Sequence, residues 1–91
     1  MNFEDYLSNE KTIYSIVGED GEKSTITIEK WAADLLQDML PDVHQWMQQQ
    51  YNMVCQRKPK TTRRNKGNIV RLLARSKAEK NSNFIPMIDF L

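Results

Sequence analysis

Two short stretches carry the side chains best suited to hold a ligand. The first is Arg63-Arg64-Asn65-Lys66-Gly67-Asn68, which runs into Ile69-Val70-Arg71-Leu72-Leu73. Asn65 is a good helix cap, and capping there leaves backbone N–H groups near Gly67 and Asn68 without helical partners. Gly67 lets an anion approach the backbone closely, and the dipole at a helix start favours negative charge. Arg63, Arg64 and Lys66 add charge, Lys58 and Lys60 stand just upstream, and Arg71 follows in the helix. This is the chemistry of phosphate binding. A solvated basic loop has a similar composition, but the run of bases around Pro59 weighs toward phosphate.

The second stretch is Lys23-Ser24-Thr25-Ile26-Thr27-Ile28-Glu29. In an extended chain Ile26 and Ile28 point one way, and Thr25 and Thr27 point the other, with Lys23 beside them. A ribbon with short donor and acceptor side chains on one face fits the major groove of DNA and can touch base edges. The same alternation also suits an ordinary edge strand with its threonines in water.

Nothing marks a catalytic centre. His44 is the only imidazole, and Asp42, two residues earlier, would not face it on a helix. No nucleophile or base is placed to work with it, so a surface or interface role is expected. Cys55 is the only cysteine; although Arg57 and Lys58 follow it, a buried structural thiol is the expected state. A lone Cys and a lone His exclude an internal disulfide and a standard structural zinc site within one chain. No metal and no cofactor is expected. Trp31 and Trp46 could stack on nucleobases, but both lie near helical apolar stripes, which points to a core or dimer interface. Gly18-Glu19-Asp20-Gly21 is glycine-punctuated, yet its acids would repel a phosphate.

The division of charge supports a polyanion as partner. Residues 1–50 carry ten acids and three bases, and residues 51–91 carry ten bases and two acids, so that halves of −7 and +8 hide within a total of +1. At 91 residues the chain is expected to form one domain, short enough that sharing a core with a second copy would help it fold. A 40% apolar content argues against a disordered chain. The N-terminus has no apolar stretch of signal-peptide type, and no run approaches the roughly 20 residues that span a bilayer. The free Cys and five Met suit a reducing, cytoplasmic setting.

The elements that would position these residues follow from periodicity. Residues 1–10 read as a flexible, acidic N-terminus. Residues 11–28 read as a β-hairpin, with β-rich runs Lys11–Val17 and Ser24–Ile28 on either side of the acidic turn. Residues 29–55 read as a helical segment, with Ala32, Leu35, Leu36 and Met39 recurring at helical spacing. Pro41 either ends or kinks it. Residues 56–66 form a basic loop without an apolar side chain, and a last helix covers 67–80. The tail, 81–91, is strongly apolar. Pro86 should keep it extended, lying against the hairpin edge at 12–17 or the helical surface near Trp46.

An alternating strand, a helix, a turn and a helix opening with Asn-Lys-Gly-Asn-Ile-Val-Arg resemble the ribbon-helix-helix DNA-binding family over residues 23–79. The resemblance implies a dimer whose shared core holds Ile26, Ile28, Leu35, Ile69 and Leu73. It also implies that Lys23, Thr25 and Thr27 face the groove and that Asn65, Gly67 and Asn68 hold a phosphate. Here the stretch 29–64 is longer than the family's first helix and turn, and an extra strand at 11–17 precedes the ribbon. The expected fold is therefore mainly α with a short N-terminal hairpin (α+β), ribbon-helix-helix-like and dimeric. The expected function is non-enzymatic binding of double-stranded DNA, as a transcriptional regulator, an antitoxin-like autoregulator or an accessory DNA-processing factor. The alternative is a protein-interaction module or inhibitor, in which the acidic half and apolar tail bind a second protein and the membrane plays no part.

Overall fold

The fold is α+β: a two-stranded antiparallel hairpin laid on a set of helices. A computed structural model describes residues 1–91. Strands β1 (Lys11–Val17) and β2 (Lys23–Glu29) pair in the register Thr12↔Ile28, Tyr14↔Ile26 and Ile16↔Ser24. The turn between them closes through Gly18 N–H to Glu22 O at 2.7 Å and Gly21 N–H to Gly18 O at 3.1 Å. Gly21 takes φ +78°, a left-handed conformation that side chains resist. Alternation sorts the faces as expected: Ile16, Ile26 and Ile28 are buried, whereas Lys23 and Thr25 are exposed and Thr27 is half-buried.

Helix α2 (Lys30–Met39) leaves the hairpin directly and buries Ala32, Ala33, Leu35 and Leu36. Pro41 ends it rather than kinking it. Leu40 is extended, and Asp42 then caps α3 (Val43–Arg57) by accepting from Gln45 N–H at 2.9 Å. Helix α3 buries Met47, Tyr51, Val54 and Cys55 at helical spacing.

Helix α4 spans Arg63–Ala78 and starts earlier than the sequence suggested. Thr62, not Asn65, is its cap, accepting from Asn65 N–H at 3.2 Å. Gly67 therefore lies inside the helix. A glycine there costs about 1 kcal/mol relative to alanine, which the buried stripe Val70, Ala74 and Ala78 outweighs. These small residues recur every four positions, so β2 and α2 can approach the α4 backbone closely. Ile26, Ile28, Leu35 and Leu36 share one core with them inside this single chain, and Ile69 and Leu73 pack on its margin.

The ends of the chain also depart from expectation. Residues 1–10 are not a loose terminus. Phe3–Leu7 form a short helix, α1, with Asn2 N–H donating to the Asp5 carboxylate at 2.7 Å. The tail is not wholly extended, for Met87–Phe90 make a 3-10 turn, and it lies neither on the hairpin edge nor near Trp46. It packs instead on α1: Tyr6 meets Trp31, Phe84 and Phe90 at centroid separations of 5.1, 6.5 and 6.2 Å, and Phe3 meets Phe90 at 5.9 Å. Tyr6 Oη donates to the Ile85 carbonyl, and Asn81 Nδ2 donates to the Leu35 carbonyl at 2.9 Å, pinning the chain between α4 and the tail. Aromatic pairs of this kind add about 0.5–1.5 kcal/mol each beyond their burial. Deleting residues 84–91 should thus lower the melting temperature by several degrees and expose Tyr6 and Trp31. A scanning calorimetry trace superimposable on that of the full chain would show that the tail does not stabilise the fold.

Candidate nucleic-acid interface

Thr25 and the α4 arginines, 38 or more positions apart in sequence, meet in space because α4 runs alongside β2. An ion pair marks each end. Arg63, in the first turn of α4, pairs with Glu22, the turn residue just before β2. Arg75, three turns on, forks onto Glu29 at the end of β2, with Nε–Oε2 at 3.0 Å and Nη2–Oε1 at 2.5 Å. Between the two pairs lies a cleft of about 420 Å³ whose lining includes Thr25, Arg63, Arg64, Gly67 and Arg71. The structure thus brings together Thr25, Arg63, Arg64, Gly67 and Arg71 out of the residues singled out from sequence.

It does not build the phosphate nest expected at Asn65, Gly67 and Asn68. With the cap at Thr62, Asn65 N–H is taken by the Thr62 hydroxyl and Lys66 N–H by the Thr62 carbonyl at 2.9 Å. Gly67 and Asn68 lie beyond the first turn, where N–H groups bond within the helix. Asn68 instead accepts from Arg71 Nη1 at 3.1 Å through its side chain. Lys66 lines a second depression instead, with Glu19, Asp20, Glu22 and Arg63. Lys58 and Lys60 are exposed in the loop before α4, and Lys23 is exposed at the start of β2.

Part of the basic charge is answered within the chain. The acids of the hairpin turn face the start of α4, where positive side chains oppose the helix dipole. The Asp20 carboxyl is held below the ordinary carboxylate range, first by backbone hydrogen bonding at Glu22 and also by the charge of Arg63. Glu29 is likewise held down, chiefly by the Arg75 hydrogen bonds, against burial that pushes the other way. By contrast Arg57, Lys58, Lys60, Arg64, Lys66, Arg71, Lys77 and Lys80 form no ion pair.

The outer face of the hairpin continues this surface. Lys11, Ile13, Ser15 and Val17 of β1 stand beside Glu29, Thr27, Thr25 and Lys23 of β2, and Ile13 is 65% exposed. The outward backbone groups of β1 are covered at its turn end. Gln48 bonds both Val17 N–H, at 2.8 Å, and Val17 O, at 2.9 Å, and His44 Nε2 donates to Ser15 O. His44 is thus an edge cover, a role no sequence signal announced. Cys55 is buried, and burial pushes its thiol up, away from the reactive thiolate. No set of three or more His, Cys, Asp or Glu side chains is grouped to hold a metal ion. No helix is long and apolar enough to cross a membrane. No protein family, curated protein or solved structure matches the chain.

The Glu29–Arg75 pair has a defined pH signature. A carboxyl whose folded pKa lies below its unfolded value contributes stability that is present above the unfolded value, about 4.3 for Glu, and is lost as pH falls through the folded one. Chain stability should accordingly fall on acidification below about pH 4.3, and Glu29→Gln should flatten part of that fall while lowering stability at neutral pH. Urea midpoints measured at several pH values check this; an unchanged acid limb in the variant would show that the pair contributes nothing.

Proposed function

We propose that the protein is a non-enzymatic binder of double-stranded DNA that works as a cytoplasmic homodimer, in a regulatory or accessory DNA-processing role. Because Ile26, Ile28 and Leu35 already share a core within one chain and β2 pairs with its own β1, the dimer would not be built on a shared ribbon as in the ribbon-helix-helix family. The observation that supports it best is the cleft between β2 and α4. There the unpaired bases Arg64 and Arg71 stand beside Thr25, at the edge of a hairpin face that also carries the exposed Lys23 and the half-buried Thr27. Phosphate contacts give affinity and set register, and short polar side chains on a ribbon read base edges. Lys58 and Lys60 extend the positive surface past the start of α4.

A second reading is a protein-interaction module. It draws on the opposite end of the molecule, where Leu7, Ile88 and Leu91 are 61%, 70% and 83% exposed at the joined termini, and Asp5, Asp34 and Asp38 line a hollow beside Trp31. An apolar patch with acidic neighbours suits a basic protein partner.

Binding selections on a random duplex pool, with affinity followed against salt, separate the two readings. Arg64→Ala should weaken binding to all duplexes alike and lower the salt slope by about one. Arg63→Ala should change it less, because Glu22 already neutralises that charge. Thr25→Ala and Thr27→Ala should alter sequence preference, by roughly 1–3 kcal/mol for each base edge no longer read, with little effect on random DNA. A chain that retains no duplex at low salt would leave the interaction module as the better reading.

A further inference from the structure

The geometry points to a single phosphate seat: the β2–α4 cleft holds one phosphate of the nucleic-acid backbone between the guanidinium groups of Arg71 and Arg64, against Thr25. This rests on the DNA-binding reading and moves the phosphate contact from the start of α4 to its flank. Arg64 and Arg71 are seven residues apart, two helical turns, so they lie on one side of α4. Gly67 sits between them, and a Cβ added there would meet nothing within 4 Å, so the notch between the arginines is open space.

The state of Arg71 is the telling feature. Its Nη1 is used by Asn68, but its Nε is shut off from solvent and has no hydrogen-bond partner in the protein. A guanidinium is always charged, and a buried N–H of a cation left without an acceptor is strongly disfavoured. The neighbouring arginines on the same helix do not share this condition, because Arg63 has Glu22 and Arg75 has Glu29. No carboxylate lines the cleft, so nothing within it answers the charge of Arg64 and Arg71. An oxyanion with several acceptor oxygens suits planar guanidinium forks approaching from two sides.

Thr25 adds a third direction. Gly18–Glu22 and Glu10–Lys30 are hydrogen-bonded pairs of the hairpin, so by alternation Thr25 sits in a non-bonded pair with Ser15. Its backbone N–H and C=O therefore point away from β1, along the uncovered edge of β2. A phosphate in the cleft could take donors from the Thr25 edge and from both arginines, which would tie the ribbon's register to the DNA backbone.

The test uses the full chain and two probes. In NMR titrations with inorganic phosphate, the Thr25, Gly67 and Arg71 Nε–H signals should shift together and saturate. Arg71→Lys and Arg64→Lys keep the charge but lose the fork; each should abolish saturation and weaken duplex binding at least about fivefold, whereas Lys80→Gln, which removes a charge elsewhere, should leave the phosphate titration as it was. Arg64 is exposed, so its variant keeps the test decisive even where Arg71→Lys unfolds the chain. Shifts that spread over all basic residues without saturating, or lysine variants that bind phosphate as the parent does, would overturn the seat. If duplex DNA binds and both lysine variants bind it equally well, the seat fails and the DNA reading stands. If phosphate saturates the cleft but no duplex binds, the DNA reading fails and the arginine site stands as an anion site alone.

Discussion

The narrow, apolar side of α4 is the constraint on which the rest of the molecule depends. Val70, Ala74 and Ala78 are fully buried, and two of the three are alanines. Because they are small, the hairpin and α2 can both settle against the same helix. Larger side chains at these positions would force the hairpin outward, and overpacking of this kind typically costs about 1–3 kcal/mol. With the backbones this close, the flank of α4 has no choice but to run beside β2. The long side chains on that flank then either find acids on the hairpin or project into the gap between the two elements.

That forced proximity explains how an acidic half and a basic half coexist in one small domain. The acids nearest the basic block belong to the hairpin, and they are placed at its ends. Glu22 meets Arg63 and Glu29 meets Arg75. The Glu29–Arg75 fork is only partly exposed and bidentate, so it is less weakened by solvent than an ordinary surface pair. The outcome is a helix flank whose charge is cancelled at the two ends and left standing in the middle, at Arg64 and Arg71. A total charge of +1 conveys none of this, and neither do the sums for the two halves. What matters for a ligand is which cations the fold leaves without an internal partner.

Much of the architecture was legible because it is local. Alternation in Ser24–Ile28 set the hairpin faces, and the apolar spacing of Ala32, Leu35 and Leu36 marked α2. Pro41 stopped that helix, as its missing donor requires. The start of α4 is ambiguous in the sequence because Asn65 and Gly67 both look like boundary residues, and Thr62, also a good cap, stands only three residues earlier. The ends are illegible for a different reason. Five helical residues in α1 are too few to show a period, and their stability comes from Phe84 and Phe90, some eighty residues away in the chain. The cleft was legible only as ingredients. Thr25, Arg64 and Arg71 each stand out by residue type, but that they line one space depends on how α4 lies against β2.

The two edges of the hairpin are treated differently by the fold. An exposed strand edge is a liability that folded proteins cover or blunt. On β1, Gln48 and His44 reach from α3 and occupy the outward groups of Val17 and Ser15. On β2, no side chain bonds the outward groups of Thr25 and Thr27, and the helix alongside offers cations instead of a cover. Two arginines with unanswered charge discourage another protein strand from adding there unless it is acidic, because cations near the edge would have to be desolvated without compensation. The same arrangement welcomes a chain that brings negative charge at regular intervals and presents acceptors rather than donors. A nucleic-acid backbone has both properties, so under the DNA-binding proposal the open edge and the unpaired arginines would serve one contact.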